Sequence, residues 1–258
     1  MTHTEGDTDP MSDKGGIIVT GASRGIGAAI AEHLAAAGYA VGCVSRSGDL
    51  PRRADAPDAV RARWQALKAD VTDAAQLKSA FDAFAARVGR VRGLVNNAGL
   101  HIETPADSVS AADWQRVQDT NTLSVLLASQ AAYPHLVAAQ GALVVNIGSF
   151  FDRLGVKRNL AYCASKAAVA AMTRVLAVEW AGKRIRAMNV APGYIVTDLN
   201  REQMEAGPLR AYLDKRIPGR EPGTADDVGR LVAALYASDI GFLSGETIYI
   251  DGAQGIAH

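Results

Sequence analysis

The sequence predicts an α/β fold: a single Rossmann-like, doubly wound domain with a seven-stranded parallel sheet and helices on both faces. Three observations carry this. Short apolar runs alternate with helical patterns along the whole chain. The strand candidates are continuous apolar runs rather than period-two patterns, as expected of strands covered on both faces. A glycine-rich segment stands between the first strand and the first helix.

Taken in order, "GGIIVT" (15–20) is the first strand and runs into "GASRGIG". "AAIAEHLAAAG" has helical spacing and stops at Gly38. "YAVGCVS" is the second strand, and "RSGDLPRRADAP", with two prolines, is a loop or at most a weak helix. "WQALKADV" supplies the third strand, and "AAQLKSAFDAFAARVG" an amphipathic helix ending at Gly89. "RGLVNNAG" is the fourth strand and its turn. A long helical segment then begins at Ala111, with Pro134 near its end. "ALVVNIGS" is the fifth strand, followed by the long helix of "AYCASKAAVAAMTRVLAVEWAG" and a sixth strand in "IRAMNVAPG". Thr224 is placed to cap the helix of "TADDVGRLVAALYAS", and "ETIYIDG" closes the set. No internal repeat or interior linker divides the 258 residues, so one domain is expected over 15–258, after a loose polar leader at 1–14.

Composition narrows the function classes. Lys+Arg and Asp+Glu both number 27, a balance that offers no electrostatic footprint for nucleic acid or an anionic membrane. No apolar run is long enough for a membrane span, and the acidic start lacks the pattern of a secretory signal. The two cysteines, Cys43 and Cys163, sit in apolar settings and form neither a disulfide framework nor a metal site; no metal is expected. A cytoplasmic protein acting on a small molecule is the expectation.

Gly21, Gly25 and Gly27 have the spacing G-x-x-x-G-x-G. Glycines at a strand–helix junction let backbone approach a pyrophosphate, and the helix start offers free N–H groups and a positive dipole end. Where the second strand ends, an NAD site usually carries a carboxylate for the ribose. Here the residues are Ser45, Arg46 and Ser47, and Arg24 lies within the glycine loop. Two guanidinium groups suit a 2′-phosphate, so the expected cofactor is NADP(H).

Tyr162 and Lys166 stand four residues apart, on one helix face. A free phenol has a pKa of about 10, and a neighbouring ammonium stabilises phenolate and lowers it. Such a tyrosine can exchange a proton during hydride transfer. Ser149, at the end of the fifth strand, can hydrogen-bond a carbonyl oxygen.

These segments together resemble the short-chain dehydrogenase/reductase family. The resemblance spans Gly16 to Gly252 through "TGASRGIG", "DV" (70–71), "NNAG" (96–99), Asn121 of "QDTN", "NIGS" (146–149), "YCASK" (162–166) and "NVAPG" (189–193). It implies a catalytic set of Asn121, Ser149, Tyr162 and Lys166, in which Lys166 holds the nicotinamide ribose and lowers the Tyr162 pKa while Asn121 holds a water. It implies adenine contacts from Asp70 and Val71, a ribose floor from Asn97, Ala98 and Gly99, and nicotinamide contacts from Pro192, Gly193, Ile195 and Thr197. Ser23 and Ile26 complete the glycine-loop contacts. The implied assembly is a homotetramer or dimer through helices 111–139 and 160–181.

The pattern is nearest to 3-oxoacyl-carrier-protein reductases, which makes a 3-oxoacyl thioester an alternative substrate to a general carbonyl or secondary alcohol. Those enzymes often place Arg where this chain has Val178, to dock an acidic carrier. A non-catalytic NADP-binding regulator is a further alternative, disfavoured because both Tyr162 and Lys166 are present. Residues 194–223 form a long connection at the expected ligand side and are read as a lid. Phe150, Phe151 and Leu154 are placed to face an apolar pocket mouth, with Arg153 read as a surface ion pair and His101 as a spectator.

Overall fold

The computed structural model describes residues 14–198, 200–238 and 240–257. The leader expected at 1–14 lies outside the described residues, apart from Lys14. Seven strands form one parallel sheet: β1 (Gly16–Thr20), β2 (Ala40–Ser45), β3 (Trp64–Lys68), β4 (Val91–Asn96), β5 (Ala142–Ile147), β6 (Ile185–Pro192) and, last in the chain, β9 (Thr247–Ile250). Their order is β3-β2-β1-β4-β5-β6-β9. The chain winds outward from β1 in one direction, then from β4 in the other. The crevice at the carboxyl ends of β1 and β4 is therefore the topological switch point, where ligands bind in open α/β sheets.

Helices cover both faces. α1 (Gly25–Ala36) and α9 (Ala225–Ala237) pack on one, burying Ile30 and Leu34 with Val228 and Val232. On the other lie α3 (Ala74–Val88), α5 (Ser124–Ala138) and α6 (Leu160–Trp180), around Phe81, Phe84 and Leu136. The proline-rich loop after β2 carries one short helix, α2 (Asp58–Arg61). Thr224 caps α9 as expected: its Oγ1 accepts from Asp227 N at 3.2 Å, and the Asp227 carboxylate accepts from Thr224 N at 2.8 Å.

Four expectations are corrected. The segment from Ala111 is two helices, α4 (Ala111–Gln118) and α5, joined by a π-helical turn at Asp119–Leu123. The stretch 194–223 is structured: β7 (Ile195–Val196), α7 (Arg201–Glu205), α8 (Gly207–Arg216) and β8 (Gly223–Thr224), with β7 and β8 paired in parallel. It has its own small core of Met204, Leu213 and Ile217. Among the described residues one helix, Leu160–Lys183, is long and apolar enough to cross a membrane by length and composition. Here it packs as a sheet-covering helix, with Val169, Ala170, Thr173 and Ala177 on its buried face. Finally, Cys43 is a core thiol, pushed up to about 12 by burial, whereas Cys163 is only half-buried.

Candidate active site

The glycine loop is held by its neighbours. Asn97 Nδ2 donates to Thr20 O at 2.9 Å and Gly21 O at 3.1 Å, while Asn97 N and Ala98 N both donate to Thr20 Oγ1. Gly21 has φ +65, and a Cβ there would lie 2.9 Å from Ala98 Cα. A Cβ on Gly27 would sit 2.2 Å from Gly21 O. No side chain caps the start of α1, and its first turn carries no acid. The loop thus has the features of an anion cradle: an uncapped helix start at its positive end, and glycines at 21, 25 and 27 that leave the backbone open at those positions. Ser23 and Ile26 lie within it, and Arg24 is exposed at its rim.

The structure places the other sequence-predicted residues as follows. Gly25 (φ +55) faces Thr197, whose Cγ2 would be 3.5 Å from an added Cβ. Thr197 is fixed by Asn200, whose Oδ1 accepts from Thr197 N at 2.7 Å and whose Nδ2 donates to Ile195 O. Gly193, after Pro192, packs so tightly on Asp251 that a Cβ would come within 2.7 Å of its Cα. Ser45 ends β2 buried, its Oγ donating to Asp49 O at 3.2 Å, and Arg46 and Ser47 are exposed beyond it. Asp70 Oδ1 accepts from Thr72 N and Oγ1, which holds its carboxyl below the usual range, with a smaller contribution from Arg46. Val71 follows it, half-buried against the α3 side.

The proton-transfer residues converge from three elements. Ser149, just past β5, accepts from Phe151 N at 3.2 Å and shares a hydrogen bond with the Tyr162 hydroxyl. Lys166, one turn along α6 from Tyr162, is buried; its Nζ donates to Ile147 O at 2.8 Å and lies 5.7 Å from the centre of the Tyr162 ring. Gly99 closes the group: a Cβ there would lie 3.6 Å from Asn121 Oδ1 and 3.8 Å from Lys166 Nζ. Asn121 sits in the π turn, a distortion frequent at functional sites. Its Oδ1 accepts from Leu100 N at 2.7 Å, and its Nδ2 donates to Leu100 O and to Ser165 Oγ. Ser165 donates in turn to Tyr162 O at 2.7 Å. Thr20, Ser165 and Asn200 were not singled out by sequence reasoning; Thr20 and Ser165 lie inside the quoted TGASRGIG and YCASK segments, where their neighbours carried the chemistry, and Asn200 lies outside every motif.

The electrostatics differ from expectation. A lowered Tyr162 pKa was expected from the ammonium beside it. Burial dominates instead and pushes the phenol up to about 12, opposed by the Ser149 hydrogen bond. Burial likewise pushes Lys166 down to about 8. Desolvation disfavours both charged forms, so in this state the proton resides firmly on the phenol.

Fold and site together define a dinucleotide-binding oxidoreductase. Residues 21–253 match the family model described as enoyl-(acyl carrier protein) reductase. A D-threitol dehydrogenase of Mycolicibacterium smegmatis is 32% identical over 240 residues, 93% of this chain and 92% of its own. The 3-oxoacyl-[acyl-carrier-protein] reductase FabG of Escherichia coli is 32% identical over 237 residues, covering 92% and 96%. Among solved structures, a gluconate 5-dehydrogenase from Burkholderia cenocepacia, in complex with NADP and tartrate, aligns with TM-score 0.84 and 32% identity over 96% of this chain and 98% of that one. The chain belongs to the short-chain dehydrogenase/reductase family, whose members bind nicotinamide cofactors.

Proposed function

We propose that the protein is an NADP(H)-dependent oxidoreductase that interconverts a carbonyl and a secondary alcohol, with Tyr162 as general acid/base. The observation that carries this reading is the Tyr162 hydroxyl bonded to Ser149, with buried Lys166 on the same helix face and the glycine cradle across the crevice.

A bound nicotinamide supplies hydride chemistry. The glycine loop and the start of α1 would hold its diphosphate, and Arg24 and Arg46 the 2′-phosphate. In the reducing direction, Ser149 orients the substrate oxygen and Tyr162 gives it a proton. The high phenol pKa suits this role, because Tyr162 keeps its proton until charge develops on that oxygen. Lys166, poised near neutrality, lies beside the tyrosine ring to stabilise the phenolate left behind. In the oxidising direction Tyr162 accepts the proton.

A 3-oxoacyl thioester is the second substrate reading, supported by the similarity to FabG. We place assembly as a dimer or tetramer on helices α4, α5 and α6.

Tyr162→Phe should abolish turnover of a carbonyl panel while NADPH still binds, measured by nicotinamide fluorescence. Retained turnover would overturn the assignment.

A further inference from the structure

Two rings pack against the ring of Tyr162, and others extend the cluster outward. The His101 imidazole packs on the Tyr162 ring with centroids 4.6 Å apart, and Phe151 meets that ring edge-on at 6.0 Å. Behind it, Tyr194 stands edge-on to Phe151 at 6.1 Å and to Phe150 at 5.5 Å. Tyr212 of α8 reaches Tyr194 at 6.4 Å and is half-exposed at the outer rim. The rings come from segments following β4, β5 and β6 and from α8, so the fold itself gathers them at one end of the sheet.

Several of the polar atoms around these rings already have partners. The Tyr194 hydroxyl is bonded to Tyr212. His101 Nε2 is bonded to Asn159 Oδ1, and Asn159 Nδ2 donates to Lys157 O. Arg153, next to the Phe150–Phe151 turn, stacks 3.6 Å from the Tyr249 ring centre and pairs with Asp251. Glu103 and Arg216 act on Tyr194 in opposite directions. A polyol or sugar acid would bury hydroxyls or a carboxylate against His101, Asn159, Arg153 and Tyr194, which already have partners, at the cost of unpaired polar atoms. A flat ring would gain edge-to-face and offset contacts.

We propose that the site selects flat, uncharged, ring-bearing ketones, or the corresponding secondary alcohols, held against Phe151 and Tyr194 with the oxygen at Ser149 and Tyr162. This rests on the reductase reading above and deepens it. The test compares α-tetralone, 5-oxogluconate and acetoacetyl-coenzyme A as substrates with NADPH, together with calorimetric binding of α-tetralol to the protein. α-Tetralone should give the highest kcat/KM and α-tetralol should bind. Tyr194→Leu should lower kcat/KM for α-tetralone about tenfold, the scale of one lost aromatic contact, and weaken α-tetralol binding in step. Tyr194→Phe, which keeps the ring, should retain both. Preferred turnover of the sugar acid or the thioester would overturn this inference and leave the reductase reading standing, as would a Tyr194→Leu effect equal for all substrates. No turnover of any probe, with NADPH still bound, would overturn both.

Discussion

Tyr162 and Lys166 show how far single residues speak for themselves. Their four-residue spacing, and the presence of Ser149 and Asn121 upstream, were legible because the chemistry needs those residue types in that order. The direction of the tyrosine shift was not legible, since burial belongs to the fold and not to the pair. Lys166 carries a testable consequence. Folded, it binds its proton more weakly than when unfolded, at about 8 against an ordinary 10.5. Below about 8 both states are charged, and folding bears the full cost of burying the ammonium. As pH rises from there toward 10.5, only the folded form sheds the proton and the cost fades. Urea unfolding at stepped pH should therefore show Lys166→Met gaining on the parent near neutrality and losing that advantage in mild alkali; a pH-independent difference would contradict it. The arginines make a separate case. Arg24→Ala and Arg46→Ala should each weaken NADPH binding on the order of tenfold and spare NADH, the size of a lost hydrogen bond to a charged group. Equal losses for both cofactors would show that the residues do not read the 2′-phosphate.

Strands and the major helices followed from apolar runs and glycine stops, and the Thr224 cap from its position before an acidic first turn. The π turn did not, because a helical pattern does not reveal that Asn121 must swing its amide onto the Leu100 peptide. Helix α8 was also missed. Leu209, Leu213 and Ile217 recur every four residues, but three adjacent glycine/proline pairs and many charges obscure them. At this scale the glycine loop offers the cleanest experiment. Gly27→Ala would drive a methyl into Gly21 O and Asn97 Nδ2, at 2.2 and 2.4 Å. Overpacking of this kind costs about 1–3 kcal/mol, so the melting temperature should fall and NADPH affinity with it. Unchanged values would mean the loop yields freely.

For the whole molecule, a parallel seven-stranded sheet was foreseeable from alternation, but its order was not: only the folded chain shows β1 and β4 side by side. That adjacency is what brings Gly21 against Ala98 and opens the crevice. The helical faces left over also matter here. Leu123, Leu126, Val175 and Val178 are exposed on or beside α5 and α6, Val178 at 79%. Several branched apolar side chains open on long helices are what a subunit interface uses. Sedimentation should find an assembly of two or four chains, and Leu126→Glu with Val178→Glu should shift it toward single chains. An unshifted assembly would move the interface elsewhere.

The short pairing of Ile195 with Gly223 and Val196 with Thr224 has a wider consequence. It clasps the two ends of the excursion that carries Tyr212, so whatever lies beyond the clasp contributes little strain to the main sheet. Loop-closure entropy grows only slowly with length, which makes that stretch exchangeable at small thermodynamic penalty. A transplanted 197–222 segment from a relative should therefore leave the melting temperature nearly unchanged, while Phe151 and Tyr194, outside it, keep the ring preference of this scaffold.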